Sequence, residues 1–252
     1  MTARRTVLAG LFGSLALAAC SGSTEAAETR VAVAANFAEP AREIAARFEA
    51  TTGHKAVLSF GSSGQFFAQI ANGAPFDVFL SADAERPIKA EADGLSVRGS
   101  RFTYATGRLV LWSRTPGLVD GAGAILARGG FAKLAIADPK TAPYGLAAVE
   151  TLRRLGLSER LSPRLVTGTS ITQAYQFTDT GAAELGFVAL SQVVGHNRGS
   201  RWIVPASHHS PIDQQAVLLK RGADNAAARA FMVFLKGPEA RAIIRRYGYE
   251  VG

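Results

Sequence analysis

From Thr29 onward, short apolar runs alternate with segments of helical periodicity, and the alternation stops once and starts again. RVAVAA, Arg30 to Ala35, reads as a buried strand. Behind it Phe37, Ala41, Ile44, Ala45 and Phe48 recur at helical spacing, with Arg42, Glu43 and Glu49 on the other side. KAVLSF and DVFLSAD repeat the pattern, followed by helices over 65–72 and 84–92. TYATGRLVLWSR, Thr103 to Arg114, then runs extended with no helix behind it and suits a crossing between two lobes. The rhythm resumes with FAKLAIAD, RLVTGT and ELGFVAL, the first two leading into helices at about Pro143 and Ser170. RWIVP adds a strand, QQAVLLK (Gln214 to Lys220) reads as the return crossing, and two helices, 224–236 and 238–247, close the chain. Such alternation marks parallel α/β sheets. A restart followed by a return predicts a two-lobed α/β fold, each lobe a mostly parallel sheet flanked by helices, joined by two crossing strands. Residues 29–107 and 208–252 form lobe I on this reading, and residues 108–207 form lobe II. Ligands of such folds sit where strand ends meet, in the crevice between lobes.

The first residues stand apart. Arg4 and Arg5 precede an apolar run, Val7 to Ala19, that is short for a membrane span and has the flanks of a signal peptide. Its end, Leu17-Ala18-Ala19-Cys20, resembles a bacterial lipobox, which implies cleavage after residue 19 and a lipid on Cys20. An ordinary cut near Ala26 or a twin-arginine signal are the alternatives. Residues 20–28 then serve as a tether. Cys20 is the single cysteine, so no internal disulfide supports the fold, although an exported location permits one. The net charge of +8 comes from dispersed Lys and Arg. Without basic and aromatic residues interleaved as in single-strand binders, nucleic acid is excluded as a partner.

Four strand-to-helix junctions carry small, hydroxyl or proline residues: AANFAEP (34–40), FGSSGQ (60–65), ADPKTAPYG (137–145) and TGTSITQA (167–174). Each falls where backbone N–H groups lack intrahelical partners. One junction alone is adequately explained as a helix cap. Two from each lobe, opposed across a crevice, would surround a small anion with N–H donors and favourable dipole ends. The four motifs contain no Arg, and Lys140 is their one cation, so salt bridging is not the design. Asp83 and Asp138 are the nearest carboxylates and are read as braces of their own turns.

VAVAANF, FGSSGQ, GAPFDVFLSAD, ADPKTAPYG, ELGFVALSQV and FLKGPEARAIIRRYGY, in this order, resemble the periplasmic molybdate-binding proteins of ABC transporters. The resemblance spans nearly all of Thr29 to Val251. It implies a periplasmic, monomeric solute-binding protein, anchored by lipid where the lipobox places it, that takes molybdate or tungstate and delivers it to a permease of the inner membrane. No cofactor, no catalysis and no metal held directly by side chains is implied. In that family neutral hydrogen bonds at helix N-termini hold the oxyanion. Asn36 would donate through its backbone N–H and side-chain amide, Ser63 through hydroxyl and N–H, and Tyr144 and Ile171 through N–H alone. Ala35 and Ser62 are second choices. One branch has Ser for Asn36 and a ligand-binding Tyr where this chain has Ala189; the branch with Asn-Phe and APYG is matched better.

Other residues give less. His54, His196, His208 and His209 lack a Cys or carboxylate cluster and are read as surface loop residues. A hydrolase acting through Ser63 is the alternative of another class, but Gly61-Ser62-Ser63-Gly64-Gln65 misses the Gly-x-Ser-x-Gly spacing. No Gly-Lys-Ser/Thr follows a glycine-rich turn, so no P-loop is present. Phe231, Phe234 and Leu235 are assigned to the core. Among binding functions, sulfate, thiosulfate or another small oxyanion is the alternative.

Overall fold

The computed structural model describes residues 26–195 and 197–252. The leader, Cys20 and His196 lie outside the described residues. The first lobe is built on β1 (Glu28–Ala34), α1 (Ala38–Thr52), β2 (Lys55–Gly61), α2 (Ser63–Ala71), β3 (Val78–Leu80), α3 (Glu85–Ala92) and β4 (Phe102–Gly107). The second follows with β5 (Leu109–Ser113), α4 (Ile125–Arg128), β6 (Leu134–Ala137), α5 (Pro143–Arg154), α6 (Ser158–Leu161), β7 (Leu165–Gly168), α7 (Ile171–Asp179), β8 (Leu185–Ala189) and β9 (Ser200–Ile203). β10 (Ile212–Leu218), α8 (Ala226–Lys236) and α9 (Pro238–Arg246) complete the first lobe. The sheets run β2-β1-β3-β10-β4 and β7-β6-β8-β5-β9. Three neighbouring strands in each are parallel, and β10 or β5 enters antiparallel beside them. The two-lobed, mostly parallel architecture read from the sequence is the one observed.

Both faces of each sheet are covered, which is why the strands are apolar without strict alternation. In β1, Val31 and Val33 join Phe37, Phe48 and Phe231 on one face, while Ala32 joins Phe66, Ile70 and Phe79 on the other. In the second lobe Leu109 and Leu111 face a core with Leu134, Tyr144 and Phe187, and Val110 and Trp112 face Val188 and Val193.

Three expectations are corrected. QQAVLLK is not a crossing: β10 pairs on both edges inside the first sheet, so the chain returns earlier, through 204–211. Its residues Ala216, Val217 and Leu218 are buried, as interior strand positions must be. The tether ends before residue 28, because Glu28 already pairs with Lys55 in the ladder. His54 is not on the surface; it is 5% exposed, packs beside Phe48 and accepts the N–H of Ala27 at 3.2 Å. His208 and His209 are half-buried on the return segment, His208 against the Trp202 ring.

Candidate functional site

Because parallel strands release their chain at one end of the sheet, β1 and β2 of the first lobe and β6 and β7 of the second all open toward the same crevice. One cleft is lined by Ala34, Ala35, Asn36, Gly61, Ser62, Ser63 and Ala82 on one side and by Ala142, Pro143, Tyr144 and Ile171 on the other. All six residues singled out from the sequence therefore stand together. Among the described residues, no Lys, Arg, His, Asp or Glu lines the cleft.

The first turns leave particular donors over. In α2 the N-cap Ser62 and Gln65 form a reciprocal capping box, with Gln65 N–H on Ser62 Oγ and Ser62 N–H on Gln65 Oε1. The N–H of Gly64 crosses to the Thr141 carbonyl at 2.9 Å. What remains in that turn is the N–H of Ser63. In α5, Pro143 at the first position has no N–H, and those of Ala142 and Gly145 turn back to Asp138 and Ala142 carbonyls. Tyr144 is left with the open N–H. In α7 the Ser170 hydroxyl takes the N–H of Gln173, which leaves those of Ile171 and Thr172, and of the two Ile171 lines the cleft. After β1 the chain makes a short 3-10 turn, Ala35–Phe37, with no side-chain cap, so the N–H of Asn36 also lacks an internal acceptor.

Side chains divide by lobe. Ser63 Oγ accepts the N–H of Ala82 at 2.9 Å, which frees the hydroxyl hydrogen for another acceptor and polarises it. The side-chain amide of Asn36 does not serve the cleft, contrary to the role the resemblance implies. Both its N–H groups are engaged inside the protein, with Gln214 Oε1 at 2.8 Å and Tyr249 Oη at 3.0 Å. Asn36 therefore presents only main chain. Asp83 accepts from Ser81 Oγ and Arg86, and Asp138 from Lys140 N–H and Thr141 Oγ1, so both brace their turns as read. Ala189 is fully buried and not among the lining residues. Among the described residues, no histidine lines the cleft with Ser63.

Behind the cleft lies a buried polar cluster that the sequence reading did not include. Tyr104 Oη donates to Gln214 Oε1 at 3.0 Å, and Gln214 Nε2 donates to Tyr144 Oη at 3.2 Å. Tyr249 Oη stands 2.9 Å from Ser191 Oγ, and Ser191 Oγ donates to the Asn36 carbonyl at 2.8 Å. Burial pushes the Tyr249 phenol up to about 12, with hydrogen bonds from Ser191 and Asn36 opposing the rise. Burial also holds Tyr104 and Tyr144 well above the usual phenol range, aided by the neighbouring phenol of Tyr249. All three phenols are protonated donors at neutral pH. One signal was available for Gln214: it falls on the buried phase of β10 with Ile212 and Ala216.

The lobes touch across this crevice. Besides the Gly64 to Thr141 bond, Thr172 Oγ1 donates to the Ala35 carbonyl at 3.4 Å and Arg86 Nη2 to the Lys140 carbonyl at 3.2 Å.

Comparison with known proteins agrees with the architecture. Residues 29–250 match the model of the bacterial extracellular solute-binding protein family. The molybdate-binding protein ModA of Rhodobacter capsulatus is 56% identical over 99% of this chain and 96% of its own length. That of Azotobacter vinelandii is also 56% identical, over 92% of this chain and 93% of its own. A solved periplasmic molybdate-binding protein of Azotobacter vinelandii superimposes with a TM-score of 0.87 at 47% identity, covering 89% of this chain and 99% of that one. The chain therefore belongs to the bacterial extracellular solute-binding proteins, with molybdate-binding proteins among its near relatives.

Proposed function

We propose that this protein is the substrate-binding component of an ABC importer and that it captures molybdate, with tungstate as a second accepted ion. The observation that carries the reading is the donor set: four backbone N–H groups left over at first turns from both lobes, plus one polarised hydroxyl, around a cleft with no charged side chain among the described residues that line it. A dianion with four acceptor oxygens and no proton of its own is the natural complement of donors alone. Each helix end adds typically ~0.3–1 kcal/mol, and up to ~2 kcal/mol where partly buried. Since the donors are fixed by capping and by the sheets, little reorganisation is needed when the ion arrives.

Asn36, Ser63, Tyr144 and Ile171 are the ligands on this reading, with Ala35 and Ser62 flanking them. Residues 29–107 with 208–252 and residues 108–207 move as the two lobes, and the closed pair is the form recognised by a membrane permease. The mature chain is a monomer held at the periplasmic side through a lipid on Cys20. Discrimination from sulfate, which has the same charge and oxygen count, comes from ion size in a closed cleft. A panel of molybdate, tungstate, sulfate and phosphate tests this by thermal shift and calorimetry. Stabilisation by molybdate and tungstate alone is expected. A rise with sulfate and none with molybdate refutes the choice of ion.

A further inference from the structure

We propose that Tyr144 and Gln214, with Tyr249 and Ser191 beside them, form a closure joint: positioning residues that couple the meeting of the lobes to the alignment of the anion donors. The inference rests on the functional reading above. Two of the proposed ligands are double-ended. Tyr144 lines the cleft from the first turn of α5, and its phenol accepts from Gln214 of the other lobe. Asn36 lines the cleft, its carbonyl accepts from Ser191 of the other lobe at 2.8 Å and from Tyr249 of its own at 2.7 Å, and its amide is held by Gln214 and Tyr249. Donor orientation and lobe contact are thus set by the same side chains, all of them buried: Gln214 is 0% exposed, Tyr144 1%, Tyr249 5% and Ser191 7%.

The crossing strand is shaped for this contact. Gly107, the last residue of β4, leaves the space through which the Tyr144 phenol reaches Gln214; a Cβ there would collide with Tyr144 Oη and lie 2.7 Å from Gln214 Nε2. The bonds sort into two kinds. Gln214 to Tyr144 and Tyr249 to Ser191 run between lobes, so separating the lobes breaks them. Tyr104 to Gln214 and Tyr104 to the Ser81 carbonyl run within the first lobe and survive opening. Only interactions that differ between two states shift the balance between them. The first kind contributes to closure and thereby to anion retention, whereas the second contributes to folding alone.

Tyr104→Phe and Tyr144→Phe remove one hydroxyl each from the same cluster and separate these roles. In the full chain with molybdate as the probe, Tyr144→Phe is expected to weaken binding about three- to tenfold. The loss should lie in faster dissociation, with association and the melting temperature of the anion-free protein unchanged. Ser191→Ala should act in the same direction. Tyr104→Phe should lower the melting temperature with and without molybdate and leave its affinity within twofold. Should Tyr144→Phe and Ser191→Ala both bind as the unaltered protein does, or Tyr104→Phe lose as much affinity as Tyr144→Phe, the joint is refuted and the functional reading stands. An unaltered protein that gives no molybdate signal refutes both.

Discussion

In the first lobe the sheet runs β2-β1-β3 and then β10 and β4; in the second it runs β7-β6-β8 and then β5 and β9. Each lobe thus has three parallel strands, one antiparallel strand received from the other lobe, and one edge strand that leads out to it. Equal wiring places two first turns of each lobe at the cleft, yet the lobes furnish them differently. The first lobe brings a hydroxyl to the cleft at Ser63 and holds most of the buried cluster, Tyr104, Gln214 and Tyr249. The second contributes main chain: Tyr144 follows a proline at the first helical position, and Ile171 follows a capping serine. Topology fixes where donors appear, and local sequence decides whether they are side chain or backbone. Side chains of the first lobe should therefore be sensitive to change, while in the second lobe the N–H matters and the side chain bearing it does not.

The largest effect that can break this contrast comes from removing a donor outright. Ile171→Pro deletes the N–H at a helix position that tolerates proline, and Ser170 before it is already extended, with φ −149° and ψ 168°. Loss of a hydrogen bond to a charged group costs ~1.5–3 kcal/mol, so calorimetry should find molybdate binding about ten- to hundredfold weaker. Ser63→Ala should lose a similar amount, since it removes the hydroxyl and also leaves the Ala82 N–H without its acceptor. Equal affinity of the proline variant and the unaltered protein would mean that the second lobe does not donate at Ile171.

Closure itself comes next. At Gly64 a Cβ would stand 2.9 Å from Thr141 Cα and 3.0 Å from its carbonyl oxygen, both main-chain atoms of the opposite lobe. Gly64→Ala should hold the lobes apart at a cost of ~1–3 kcal/mol, and small-angle scattering should show reduced compaction on adding molybdate. Normal compaction with normal affinity would remove the contact between α2 and the second lobe from the account.

Smaller effects sharpen the contrast further. Ile171→Val keeps the N–H and should leave affinity within about twofold, because trimming this buried methylene costs mainly folding stability, ~0.5–1.5 kcal/mol. A large loss would show that the second lobe reads the anion with side-chain shape. Least of all should affinity respond to pH between about 6.5 and 9, since the buried phenols stay protonated there. The Tyr104 phenol, whose bonds lie within the first lobe, has its pKa raised on folding, so its share of stability is complete below about pH 10, where unfolded tyrosine ionises. That share is lost as pH climbs through the folded value. Denaturant melts should weaken only above that point; a decline beginning near pH 8 would contradict the cluster as described.

The βα rhythm and its restart were legible because both sheets are covered on two faces, which gives each strand its own apolar run. The junctions were legible as well, since capping serines, a first-turn proline and close-approach glycines are local chemistry. Long-range pairings were not. Asn36 lies 178 and 213 positions from Gln214 and Tyr249, its partners, so no local pattern indicates that its amide turns inward. For the same reason His54 read as a surface residue: its partner Ala27 lies in the strand-side segment beside it, not in its own loop. QQAVLLK and a crossing strand are equally apolar, and only pairing on both edges separates them.

Crystals of the molybdate-loaded protein, measured at the molybdenum absorption edge, test the central claim most directly. The anion should lie between the lobes, with its oxygens within hydrogen-bonding distance of the main-chain nitrogens of Asn36, Ser63, Tyr144 and Ile171 and of Ser63 Oγ, and with no ammonium or guanidinium group in contact. An anomalous peak clamped by a cation, or seated away from these four first turns, would contradict it.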